Sequence, residues 1–291
     1  MKHITSAYVK WKRGLADKVR LTKHRLVRTL LAECLGTAIL VAFGTGVAAQ
    51  SKLTEGEFGT TLAVSLGYAA GMSLALFVVG SRSPGLCNPS VAFANALVGR
   101  LDFLKMLLFW LAQLIGAFLG TLVVLAIYWE KVMDYTNLHD NGILNMSSTG
   151  TIFSSTANGS TSELCSSQVI IGMMTIVGIM AILDKNNWNA PHFYVIIYSA
   201  VVEFLLFDDF TVQSTSSNNP ALDLGGRLAL LITGWGASAF TFKDYAFWIF
   251  LVMPFVGTLC GVLLYELVIG IHLPGAGEDS KNFEDNFKEE E

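Results

Sequence analysis

The sequence predicts an all-α membrane protein: an inverted repeat of six transmembrane helices plus two re-entrant half-helices. Three observations predict it. The chain of 291 residues is 53% hydrophobic and only 14% charged, whereas soluble globular proteins carry roughly 25% charge. Several apolar runs approach the roughly 20 residues that cross a bilayer. An Asn-Pro pair occurs twice, in CNPSVAFANALVGR (87–100) and in NNPALDLGGR (218–227), each time opening a short apolar stretch.

The N-terminal arm, 1–28, is basic, with nine Lys or Arg against Asp17. The apolar run after it, Leu30 to Ala49, is too long for a signal-peptide core and ends in no cleavage-like site. It predicts a first span at about 29–50. Positive charge ahead of that span places the N-terminus in the cytoplasm. A second span is expected at 58–80, a short helix at 88–98 and a third span at 104–130. The polar segment 131–166 then lies outside the cell. It holds two glycosylation sequons, at Asn145 and Asn158, and reads either as a bare, disordered connector or as a glycan-bearing one. Spans at 167–184 and 192–212, a second short helix at 219–231 and a last span at 245–271 follow. Residues 273–291 form an acidic cytoplasmic tail, with seven Asp or Glu against Lys281 and Lys288.

The halves share one order: long, long, short, long. A first repeat covers about 29–130 and a second about 167–272, within one membrane domain at 29–272. Three spans per half is an odd number, so the halves must run in opposite directions through the bilayer. The short helices then enter from opposite faces and meet near the midplane, an arrangement that builds transport sites. Proline suits the first turn of each, where its missing N–H is no loss.

That geometry gives Asn88 and Asn219 a chemical task. Each caps a short helix, and the positive helix ends face one another. Amide donors there orient a passing oxygen and break a proton wire, while the helix ends repel cations. Pro89, Ser90, Pro220 and Ala221 complete this pore midplane. A single Asn-Pro would signify only a surface turn; two at corresponding places in both halves point to a pore. Glu33, inside the first span, is costly in a membrane. It is expected to hold loop amides near the short helices, with a proton-relay role as the alternative. Gln168 occupies the corresponding early place in the fourth span. Small residues such as Gly116, Gly120 and Gly172 favour close helix contacts.

No enzyme constellation is present in the sequence. The five His form no HExxH, no glycine-rich phosphate loop occurs, and there is no nucleophile elbow. The four Cys, at 34, 87, 165 and 260, show no metal-binding spacing. No cofactor, metal or nucleic-acid partner is predicted.

These residues together resemble the major intrinsic protein family, the aquaporins, and most of all the animal aquaglyceroporins. The resemblance spans about 25–274 and rests on AECLGT, CNPSV, SSQVIIG, NNPALDLGGR, GWG at 234–236 and GVLLYELVIGIHLP. Asp223, four residues after the second Asn, is typical of the glycerol-passing branch and is expected to support the loops. The resemblance implies a homotetramer in the lipid bilayer of the plasma membrane, one pore per subunit, with both termini cytoplasmic. It implies permeation by glycerol, water and small neutral solutes.

Two departures from the family pattern stand out. Ser90 replaces the usual Ala of the first motif, a mild change. The family's filter arginine, three residues after the second Asn, is here Leu222; Arg227 matches a later arginine near the helix end. Counting from the motifs places the outer selectivity filter at Tyr68, Phe207, Ser216 and Leu222. Glu203 lies on the same span as Phe207. Asp208 and Asp209 stand near the outer mouth, where they would draw cations. The sequence therefore predicts a passive glycerol and water channel. One alternative is a divergent member passing larger polyols, metalloid acids or a weak cation leak. Another is a structural membrane scaffold with an impaired pore.

Overall fold

The computed structural model describes residues 2–19, 24–155, 157–209 and 218–274, without the side chains of 2–6 and 206–209. Among them, the regular elements are all helical. Helix α1 (Lys2–Val19) precedes α2 (Arg25–Leu53), α3 (Thr61–Val79), the short α4 (Pro89–Leu97) and α5 (Phe103–His139). Then follow α6 (Thr161–Leu183), α7 (His192–Asp209), α8 (Pro220–Thr233), α9 (Ser238–Tyr245) and α10 (Phe247–Val268). Helices α2, α3, α5, α6 and α10 are long and apolar enough to cross a membrane, and α7 carries a shorter apolar stretch, His192–Leu205.

Three boundaries differ from those expected. Helix α5 continues past 130 to His139. Its 37 residues reach about 55 Å, well beyond the roughly 30 Å of hydrocarbon. Its last turns are therefore free to be polar, and exposed Lys131 and Asp134 pair there at 3.8 Å. Helix α6 starts at Thr161, because Ser160 and Glu163 form a reciprocal capping box. The connector expected over 131–166 thus shrinks to 140–160. Nor is it a bare surface loop, since Met146, Ile152, Phe153 and Ser155 are buried. The basic arm 1–28 is likewise not one segment: it contains α1 and the first turn of α2.

The repeat is visible in the packing. Helices α2, α3, α4 and α5 correspond to α6, α7, α8 and α10. Helix α2 lies along α5 as α6 lies along α10; α5 packs on α8 as α10 packs on α4; α3 meets α7 across the pseudo-twofold. Glycines make the closest contacts at matching places. A Cβ on Gly116 or Gly120 would meet the Cys34 or Ala38 carbonyl oxygen at 2.2 or 2.6 Å. On Gly257 or Gly261 it would meet that of Val169 or Met173 at 2.5 or 2.7 Å. Glycines four apart let two helix backbones touch.

The polarity of the bundle is reversed relative to a soluble protein. Outward faces carry exposed apolar side chains, such as Leu104, Leu111, Ile115 and Leu119 on α5. Glu33, Thr37, Asn95, Gln113, Gln168 and Thr258 are buried. Within the helices, Thr37, Thr45, Thr175 and Thr258 each return their hydroxyl proton to the carbonyl four residues earlier. Such internal satisfaction is what a lipid environment demands.

Candidate functional site

The two short helices are held start to start by their caps. Asn88 Oδ1 accepts from the Ser90 N–H at 2.8 Å. Asn219 Oδ1 accepts from the N–H groups of Ala221 and Leu222 at 3.1 and 3.3 Å. The amide nitrogens cross over. Asn88 Nδ2 donates to the Asn218 carbonyl at 3.2 Å, and Asn219 Nδ2 donates to the Cys87 carbonyl at 2.9 Å. Both accepting residues have a left-handed backbone, with φ of 49° each. That conformation costs a non-glycine residue roughly 1–2 kcal/mol, and it occurs at the same place in each repeat, just before Asn-Pro. A primary amide has two N–H groups, so each Asn keeps a second donor beyond this cross-brace. Trp110 fixes the start of α4 by donating from Nε1 to the Pro89 carbonyl at 3.0 Å.

Glu33 braces the approach to the first short helix. Its Oε1 accepts from the Leu86 N–H at 3.0 Å and from the Ser83 hydroxyl. Its Oε2 accepts from the Cys87 N–H and from Gln113 Nε2, both at 2.9 Å. Four donors thus surround the carboxylate, two of them backbone amides of the loop that leads into α4. Ser83 and Gln113 went unpredicted, although a buried Gln within an apolar span was a visible signal. Gln168 is fully buried at the corresponding place on α6. The segment before the second motif, including Ser216, lies outside the described residues, as do the side chains of Phe207, Asp208 and Asp209.

The second short helix binds the connector. Asp223 Oδ1 accepts from the Ser155 N–H at 2.8 Å, and Oδ2 accepts from Arg227 Nε at 2.7 Å. Arg227 spends its remaining groups on the carbonyls of Ala239 and Ser155, at 2.5 and 3.0 Å. Both side chains are almost wholly buried. A Cβ on Gly226 would sit 1.7 Å from the Phe153 carbonyl oxygen, so the connector runs directly against the helix. Arg227 is therefore a structural ion-pair residue. Leu222 is buried in one apolar cluster with Tyr68, Met72, Cys87, Ala117 and Ala221. Ser90 is fully buried on α4. Glu203 is buried on α7, which packs against α3, the helix that carries Tyr68. Asn145 and Asn158 both lie exposed on the connector.

The chain has relatives among known proteins. Residues 20–265 match the family described as Major intrinsic protein. The chain is a member of the major intrinsic protein family. Human Aquaporin-9 is 33% identical over 265 residues, covering 90% of each chain. Aquaporin-4 of the tardigrade Milnesium tardigradum is 30% identical over 267 residues, covering 90% of this chain and 76% of the relative. Among solved structures, the aquaglyceroporin from Plasmodium falciparum superposes with a TM-score of 0.74 at 24% identity. That match covers 84% of this chain and 97% of the other, and it shows the aquaporin fold.

Proposed function

We propose that this protein is a passive channel for water and glycerol, with solutes crossing at Asn88 and Asn219. The observation that carries the reading is the reciprocal brace. It locks two helix starts together, yet uses only one N–H of each amide. The other is available to a solute oxygen, in a field set by two positive helix ends. Tyr68 and Leu222, with Phe207 and Ser216, form an outer constriction suited to a carbon chain. The bilayer is that of the plasma membrane, the termini are cytoplasmic, and Asn145 and Asn158 face outward, where glycosylation is available to them. Four subunits assemble, each with its own pore.

The test is stopped-flow swelling of vesicles that contain the purified protein. Glycerol and water should both enter faster than in empty vesicles, and Asn88→Leu should abolish the gain while the protein stays folded. Folded protein that conducts neither solute would favour the scaffold reading. A second reading, altered selectivity, is favoured by one observation: Arg227 is consumed by Asp223 and the connector, and Leu222 supplies no replacement charge. Larger polyols and monovalent cations belong in the same assay.

A further inference from the structure

Helix α1 is a surface helix: among its described side chains, 7–19, none is buried. Tyr8, Trp11, Leu15 and Val19 are all exposed. At 100° per residue they fall within an arc of about 80°, and the rings of Tyr8 and Trp11 lie 6.0 Å apart. Lys12 and Lys18, both exposed, flank this stripe on its two sides. Lys10, Arg13 and Asp17 occupy the opposite face. An apolar stripe edged by lysines, with aromatics in it, is the pattern of a helix lying in the membrane interface. Lysine stems lie along the apolar surface while the ammonium groups reach the headgroups.

The position of α1 in the chain supplies the surface. Only residues 20–24 separate Val19 from Arg25, the start of a span. Six Cα steps reach no more than about 22 Å. The C-terminal end of α1 is therefore tethered within that distance of the leaflet that α2 enters. We propose that α1 lies on this leaflet, its Tyr8–Trp11–Leu15–Val19 stripe in the acyl boundary and Lys12 and Lys18 on anionic phospholipid headgroups. The charge decides between lipid classes: exposed Lys10, Lys12, Arg13 and Lys18 against Asp17 favour an anionic over a zwitterionic surface. The competing occupant is the chain's own acidic tail.

The test uses the full-length protein in vesicles of phosphatidylcholine, with and without about a third of phosphatidylserine, a strongly anionic surface of the kind that attracts basic helices. The signal of Trp11 is the fluorescence difference between wild type and Trp11→Phe, whose solute flux reports correct folding. Acyl-chain-brominated lipid should quench that difference, and more so with phosphatidylserine present. Lys12→Gln and Lys18→Gln should each weaken the anionic preference by about fivefold, and high salt should remove it. Leu15→Glu should expose Trp11 to aqueous acrylamide. Brominated lipid without effect on the Trp11 signal in either vesicle overturns the proposal. So does protection from acrylamide that vanishes when residues 275–291 are deleted, which would identify the tail as the occupant. Quenching equal in both vesicles overturns the anionic specificity.

Discussion

Asn219 reaches across the two repeats to donate to the Cys87 carbonyl at 2.9 Å, a contact between residues 132 positions apart in the chain. The same side chain caps its own helix through Oδ1. One amide thus sets both where α8 begins and where it stands against α4.

Asn219→Asp separates these two roles. The carboxylate keeps the acceptor that caps α8, but it loses the donor and faces the Cys87 carbonyl with negative charge. A loss of roughly 1–3 kcal/mol is expected for the unmade buried bond, seen as a lower Tm in detergent. Glycerol and water flux should fall together.

Glu33→Gln tests the brace of the first loop. Gln has one acceptor oxygen where the carboxylate had two, for the four donors of Ser83, Leu86, Cys87 and Gln113. Each orphaned donor costs roughly 1–3 kcal/mol. The expected result is a marked fall in Tm, with reduced flux per folded protein because Cys87 and Asn88 lose their support.

The glycine contacts predict opposite outcomes for one substitution. Gly257→Ala pushes a methyl to 2.5 Å from the Val169 carbonyl oxygen and should cost about 1–3 kcal/mol as overpacking. Gly46→Ala in α2 meets nothing within 4 Å and should stabilise by up to about 1 kcal/mol, the difference in helix propensity. Paired melting curves decide this.

Asp223→Asn leaves the Arg227 guanidinium buried without its counter-charge, at a cost of about 3–5 kcal/mol. It also weakens the hold on Ser155. Proteolysis within the connector 140–160 should accelerate before the helices unfold. Unchanged cleavage would mean that the connector is held by its apolar contacts alone.

Leu222→Arg restores a fixed cation to the proposed constriction beside Tyr68. Cation conductance should fall, and the ratio of water to glycerol flux should change, since Arg adds donors and takes space. Identical conductance and flux ratio in a folded variant would place the constriction elsewhere.

The helical architecture was legible in the sequence because its signals are local. Apolar length marks a span, Asn-Pro marks a helix start through capping and a fixed φ, and an odd number of spans per half dictates inversion. The place of Glu33 beneath a loop was also legible, because a carboxylate in hydrocarbon needs donors. The extra turns of α5 were not, since solvated polar residues beyond the bilayer look like loop. Tertiary structure alone decided the partners. Whether Arg227 faced a solute or Asp223 depended on where the connector ran. The left-handed backbones of Cys87 and Asn218 arise because each carbonyl must turn toward an amide of the other repeat. Gly257 and Gly261 matter because the α6 backbone lies against them. These contacts join residues far apart in the chain, and no local pattern encodes the distance between two packed helices.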